Sequence, residues 1–195
     1  MDTPRHEAGQ HPRNNTYYGV SGIQISIEGI RTDDTEGTVS GIWNAILGCQ
    51  FSPTENYIIR PEEKNQSGFA DLHTIQYKPQ PNSTHRECHF LITQCKRRSG
   101  KTQQSIWSTA RDELAKYFRS SKSRSHGHQM YGIVAVGRKV QFVEFDRKSD
   151  SLKDIQIPIG TGRGAIQHVE RGSKFWVDRE CQKVQRFLDY IKARP

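Results

Sequence analysis

The chain has few cysteines, and those it has are scattered: Cys49, Cys88, Cys95 and Cys181 in 195 residues, with no Cys-x-x-Cys pair. That pattern excludes a disulfide framework and the common zinc modules, and it predicts reduced, mostly buried thiols. A zinc set drawn from His85, Cys88 and His89, or from His126 and His128, has no second half at finger spacing, so these histidines read as loop and strand-edge residues. No apolar stretch is long enough to cross a membrane, and the polar opening MDTPRHEAGQHPRNN contains no signal-type apolar run. A soluble intracellular protein, cytoplasmic or nuclear, is therefore expected. No internal repeat is present. Glycine is missing from the whole stretch between Gly68 and Gly100. This removes the P-loop reading of Gly100-Lys101-Thr102, because the phosphate cradle needs a glycine where Cys95 stands. The later GTGRG, Gly160 to Gly164, opens no helix at once and reads as a loop.

Acidic residues are also in deficit: 29 Lys and Arg face 21 Asp and Glu, a formal charge of +8. A basic balance of this size suits a polyanionic partner such as nucleic acid, although it also serves solubility. Length predicts one globular domain over 17–195 behind a polar tail of residues 1–16.

Along that domain, Ile23, Ile25 and Ile27 alternate with polar residues at strand period. After the possible caps Asp33, Asp34 and Thr35, the residues Val39, Ile42, Trp43, Ile46 and Leu47 recur at helical spacing up to about Gly48. A short strand, NYIIRPEE, then leads into the turn KNQSG. GFADLHTIQY and CHFLITQCK read as longer strands around the loop KPQPNSTHRE. A helix over Gln103 to Phe118 carries Ile106, Trp107, Ala110, Leu114, Tyr117 and Phe118 on one stripe. Beyond the basic loop RSSKSRSHGHQ, the run MYGIVAVGRKVQFVEFD predicts two buried strands about a Gly-Arg turn. DIQIPI is a further short strand, and Val177, Cys181, Val184, Leu188 and Ile191 predict a C-terminal helix from Val177 to Lys192.

Chemistry concentrates in the two longer strands. Side chains alternate across a strand, so Gln94 and Lys96 share a face that Cys95 does not. Asp71 lies between Ala70 and Leu72, and an aspartate in a strand is costly to bury without a partner. If these strands pair, an acid, an amide oxygen and an amine meet at one end of the sheet, a set that suits a hard divalent cation. Glu36, three residues before Val39, sits on the buried stripe of its helix at the first turn. It is placed either to reach the sheet or to complete a capping box with Asp33. Glu113 and Tyr117 share a helix face at i, i+4.

At these residues the chain resembles the PD-(D/E)XK nuclease superfamily, and most closely its small fungal-type members. The family core is a helix, three strands, a second helix and a further strand, the order found here over about residues 33–145, with a C-terminal strand and helix over 155–193. The resemblance implies an α/β (α+β) fold with a restriction-endonuclease-like core, a central mixed sheet flanked by helices. The family pattern of a helix acid, a strand Asp and (D/E)-x-K maps onto Glu36, Asp71 and Gln94-Cys95-Lys96. It implies Mg²⁺ (or Mn²⁺) held by Glu36, Asp71, Gln94 and the backbone carbonyl of Cys95, with Lys96 beside the attacking water. The implied activity is phosphodiester hydrolysis in nucleic acid, DNA being the expected partner, with Arg97, Arg98, Lys101, Lys122 and Arg124 along its backbone. Glu113 and Tyr117 partly match the Gln-x-x-x-Tyr of exonuclease-like branches. Gln94 departs from the pattern: an amide oxygen ligates Mg²⁺ more weakly than a carboxylate. A catalytically decayed binding or interaction module on the same fold is therefore the alternative.

Overall fold

The computed structural model describes residues 12–65, 68–81, 84–98, 103–121, 128–159 and 168–194. The expected tail falls largely outside them. Its last part is ordered: Pro12–Asn15 form a 3-10 turn, and the Thr16 hydroxyl accepts from the Tyr18 N–H at 3.2 Å.

The central sheet has seven strands among the described residues. They are β1 (Tyr57–Asn65), β2 (Gly68–Pro79), β3 (His85–Lys96), β4 (Tyr131–Val136), β5 (Lys139–Asp146), β6 (Ser151–Asp154) and the short β9 (Phe175–Trp176). The order is β1-β2-β3-β4-β5-β6 with β9 beside β5, and the pairing is antiparallel except between β3 and β4. Strands β7 (Gln156–Ile159) and β8 (His168–Arg171) form a separate hairpin. Among the described residues four α-helices accompany them, α1 (Ser21–Gly29), α2 (Glu36–Gln50), α3 (Gln103–Ser121) and α4 (Cys181–Lys192). The fold is thus mixed α/β, a mostly antiparallel central sheet flanked by helices.

Each sheet face builds its own core. On one, Trp43, Ile46 and Leu47 of α2 and Phe187, Leu188 and Ile191 of α4 pack on Leu91, Ile133 and Phe142. On the other, Trp107, Leu114 and Phe118 of α3 pack on Ile92, Val134 and Phe145. Strand alternation produces the split: Leu91 and Cys95 belong to the first core, Ile92 to the second. A bulge opposite the step from Thr74 to Ile75 leaves Phe90 between the paired His89 and Leu91. The extra residue lets Cys88 and Phe90 join the same core as Leu91.

Glycine is required at two positions in and just after strand β4, among others. A Cβ on Gly132 of β4 would lie 2.6 Å from Leu114 Cδ2 and 2.8 Å from Val143 Cγ2, so its absence lets α3 approach the sheet. Gly137, at φ 54°, opens the two-residue turn joining β4 to β5, a left-handed conformation open to glycine.

Several expectations need correction. Ile23, Ile25 and Ile27 lie on helix α1, not on a strand. Ile23 and Ile27 are buried at i, i+4 whereas Ile25 is 69% exposed, so a five-residue alternation also satisfied a helical stripe. The first long helix runs to Gln50, past Gly48. DIQIPI is not one strand: Asp154 ends β6 in the central sheet, Ile155 is buried between, and Gln156 begins β7 of the hairpin. The C-terminal helix begins at Cys181, because Val177 instead donates its N–H to the Arg138 carbonyl at 3.0 Å in the turn after β9. GTGRG lies outside the described residues. Cys88, Cys95 and Cys181 are buried and Cys49 is exposed; none forms a disulfide.

Candidate functional site

The site is assembled where the β2–β3 ladder stops. The last paired residues there are Leu72 and Thr93, and one step further along each strand stand Asp71 and Gln94. Lys96 gives its carbonyl to the Gly137 N–H at 3.0 Å on the β4 side. By alternation, the N–H and C=O of Cys95 are turned toward β2. The β2–β3 register ends before it reaches them, and the Asp71 carboxylate accepts the Cys95 N–H, at 2.6 Å. Asp71 thus continues the ladder by one side-chain rung, and the Cys95 carbonyl is turned to the same side.

Glu36 arrives from the first turn of α2. The capping-box reading does not hold: Thr35 is the N-cap and accepts from the Thr38 N–H, while Asp34 accepts from the Arg31 N–H. Glu36 is therefore the first helical residue, where an acid complements the helix dipole. Its carboxylate receives the Lys96 ammonium at 3.2 Å. Glu113 of α3 takes the same ammonium at 2.8 Å. Lys96 is held between the two helices, 18% exposed, against 42% and 40% for the glutamate side chains. Half-exposed partners of this kind add about 1 kcal/mol or less each to stability.

Electrostatics follow from the crowding. Burial pushes the Asp71 carboxyl up to about 6, opposed by the Cys95 N–H and reinforced by Glu36 and Glu113, with Lys96 acting against the rise. Burial would lower the Lys96 ammonium, but its bonds to Glu113 and Glu36 outweigh that and raise it, so it stays charged. Burial also pushes the Cys95 thiol up, which makes it a poor nucleophile. Gln94 is 5% exposed, and its amide has no hydrogen-bond partner among the described residues. A cavity of about 630 Å³ opens on Glu36, Lys96, Arg97, Ile106 and Glu113. Among the described residues, no three His, Cys, Asp or Glu side chains are grouped to hold a metal ion. The donor set expected from the sequence is of another kind, two carboxylates with an amide and a carbonyl oxygen.

Glu113 and Tyr117 both face the sheet, with separate partners. Tyr117 contacts His73 Nδ1 at 3.4 Å, and His73 Nε2 lies 3.1 Å from His89 Nδ1. His89 Nε2 lies 3.2 Å from Glu87, which also binds Arg60 and Tyr77. This chain of polar groups runs from the α3 core to the surface. The Arg60 hydrogen bond, with Tyr77 adding to it, holds Glu87 down to about 2. Sequence reading missed the pair: His73 and His89 meet only through β2–β3 register.

Of the residues expected along a nucleic-acid backbone, Arg97 lines the site cavity and Arg98 a neighbouring one. Lys101, Lys122 and Arg124 lie outside the described residues. The neighbouring cavity also gathers Arg31, Lys139, Arg179 and Trp176, none singled out from sequence, and Trp107, expected only as a stripe residue of its helix. The detectable signal was the cluster FWVDR, residues 175–179, but its partner Lys139 is supplied by β5–β9 pairing. No family model, curated protein or solved structure matches this chain.

Proposed function

We propose that the chain is a Mg²⁺-dependent nuclease hydrolysing phosphodiester bonds in DNA, on the restriction-endonuclease-like core of the PD-(D/E)XK superfamily. One observation carries the reading: Glu36 of the first core helix and Lys96 of the third strand, distant in sequence, meet at 3.2 Å beside Asp71. An all-oxygen donor set with an unpartnered, nearly buried amide suits a hard cation, Mg²⁺ or Mn²⁺. Asp71, Gln94, the Cys95 carbonyl and Glu36 would hold it. When bound, such an ion polarises a phosphoryl oxygen and eases deprotonation of water.

The chain's own groups do the rest. Lys96, kept protonated by Glu113 and Glu36, orients the attacking water and offsets charge on the pentavalent phosphate. Glu36, also within reach of that ammonium, fixes its direction. Arg97 at the cavity mouth positions a backbone phosphate without reading sequence. The second reading, a decayed module, is favoured by the clamp itself, since a lysine gripped by two glutamates also pins α2 and α3 to β3.

Cleavage of plasmid, short duplex and single-stranded DNA across Mg²⁺ and Mn²⁺ series separates the two. Asp71→Ala should abolish cutting, Lys96→Ala should reduce it severely, and Gln94→Glu should lower the Mg²⁺ needed for half-maximal rate. Wild type and Gln94→Glu that bind DNA but cut no faster than Asp71→Ala would establish the module instead.

A further inference from the structure

The cavity next to the site has a composition that the hydrolytic machinery does not require. It encloses about 540 Å³, and its lining includes Arg31, Arg98, Lys139, Arg179, Trp107 and Trp176. Asp33 is the one acidic residue among the lining groups. Arg138, also in the wall, is committed to the fold, since it donates to the carbonyls of Glu28 and Ile30 and pairs with Asp178 at 3.8 Å. The other four cations are different: none forms an ion pair with a carboxylate among the described residues. Four unneutralised positive groups around one concavity repel one another, and an anion relieves that repulsion.

The walls argue for more than an inorganic anion. Ile30, Ile106 and Val136 supply an apolar surface, and the cavity is of the size that holds a drug-sized organic molecule. Lys139 Nζ lies over the Trp176 ring 4.4 Å from its centre and the Arg179 guanidinium 4.9 Å from it. Phosphate-binding cations thus rest on an aromatic face that a base takes up once they swing aside to its phosphate. Arg179 is exposed and Trp176 only partly buried, which leaves that face reachable from solvent. Stacking surface beside cations is what a nucleotide unit of a single strand requires.

We propose that this cavity receives one unstacked nucleotide of a DNA strand, and that the substrate is accordingly single-stranded or frayed DNA. The proposal deepens the nuclease reading and rests on it for the strand's path. Ile106 lines both cavities, and Arg98 follows Lys96 by two positions on the same segment, so a strand at Lys96 continues into this pocket. A base in a duplex offers neither face to an indole, because both are covered by neighbouring pairs; only a splayed nucleotide enters.

The test is fluorescence anisotropy in EDTA, with a short labelled single strand and the blunt duplex of the same sequence. Single strand should bind wild type about tenfold or more tightly than duplex, and Trp176→Ala should remove about tenfold from single-strand affinity alone. Arg179→Ala should lower the slope of log affinity against log salt by about 0.7. Where Trp176→Ala fails to fold, Arg179→Glu at the exposed rim carries the same expectation of selective loss. Equal affinity for single strand and duplex would overturn the proposal. So would wild-type single-strand binding by a folded Trp176→Ala or by Arg179→Glu, or competition by polyglutamate as effective as unlabelled single strand at equal charge. Cleavage is scored separately. Trp176-dependent single-strand binding without cutting sinks the nuclease reading and keeps this one; cutting with no dependence on Trp176 or Arg179 does the reverse.

Discussion

The two faces of the sheet are built to different ends. The α2/α4 face is closed by large side chains such as Trp43, Phe90, Phe142 and Phe187, with the Phe142 and Phe187 rings stacked at 5.0 Å. The α3 face has a smaller core, and beside it Asp71, His73, Gln94 and Lys96 stand where more hydrophobic residues would be easier to bury. One face holds the chain folded, and the other carries groups that folding alone does not ask for. The site sits at the edge of the less apolar layer, where helix ends and strand ends reach it together.

The largest expected effect breaks this comparison into its halves. Asp71→Asn keeps an oxygen to accept the Cys95 N–H but removes the charge, so cleavage should fall to background while the urea midpoint holds or rises. Phe187→Ala should do the opposite, costing about 3–5 kcal/mol in urea unfolding and sparing the rate of whatever fraction stays folded. An Asp71→Asn protein that unfolds as readily as Phe187→Ala would end the division of labour. An intermediate effect is expected for Gly132→Ala, whose new methyl meets Leu114 and Val143. Displacing α3 should cost about 1–3 kcal/mol and also weaken cleavage, because Glu113 rides on that helix.

The smallest effect is a pH dependence on the polar face. Glu87 has its folded pKa lowered from 4.5 to about 2, chiefly by Arg60. Its contribution is therefore present above pH 4.5 and lost as pH falls toward 2. The stability gap between wild type and Glu87→Gln should close across that window; a gap constant from pH 6 to pH 2 would show that the Arg60 contact contributes nothing.

How much of this was legible in the sequence depended on how locally each feature is determined. Helix α2 and strands β2 and β3 were legible because their patterns are long, and alternation alone put Gln94 and Lys96 on one face. Helix α1 was not, since three isoleucines over five residues satisfy two periods and only packing chose between them. Glu36 was legible as a stripe residue, but its bond to Lys96 depends on where α2 docks. The basic and aromatic cavity was hidden because it joins the end of α1, the end of β3, β5 and β9, and no local pattern reports such a meeting.

The two-residue turn of Gly137 and Arg138 has a consequence for the smallest working version of this protein. The Gly137 N–H holds the carbonyl of Lys96, while the Arg138 side chain holds the carbonyls at the end of α1. A segment lying before the motif-bearing span is thus fastened, through one hairpin, to the strand end that presents the lysine. A truncation starting at Thr32 would retain every motif residue and yet release that fastening. The Lys96 end of β3 should then fray, and protein engineers trimming to the motifs alone would discard part of the mounting on which the amine depends.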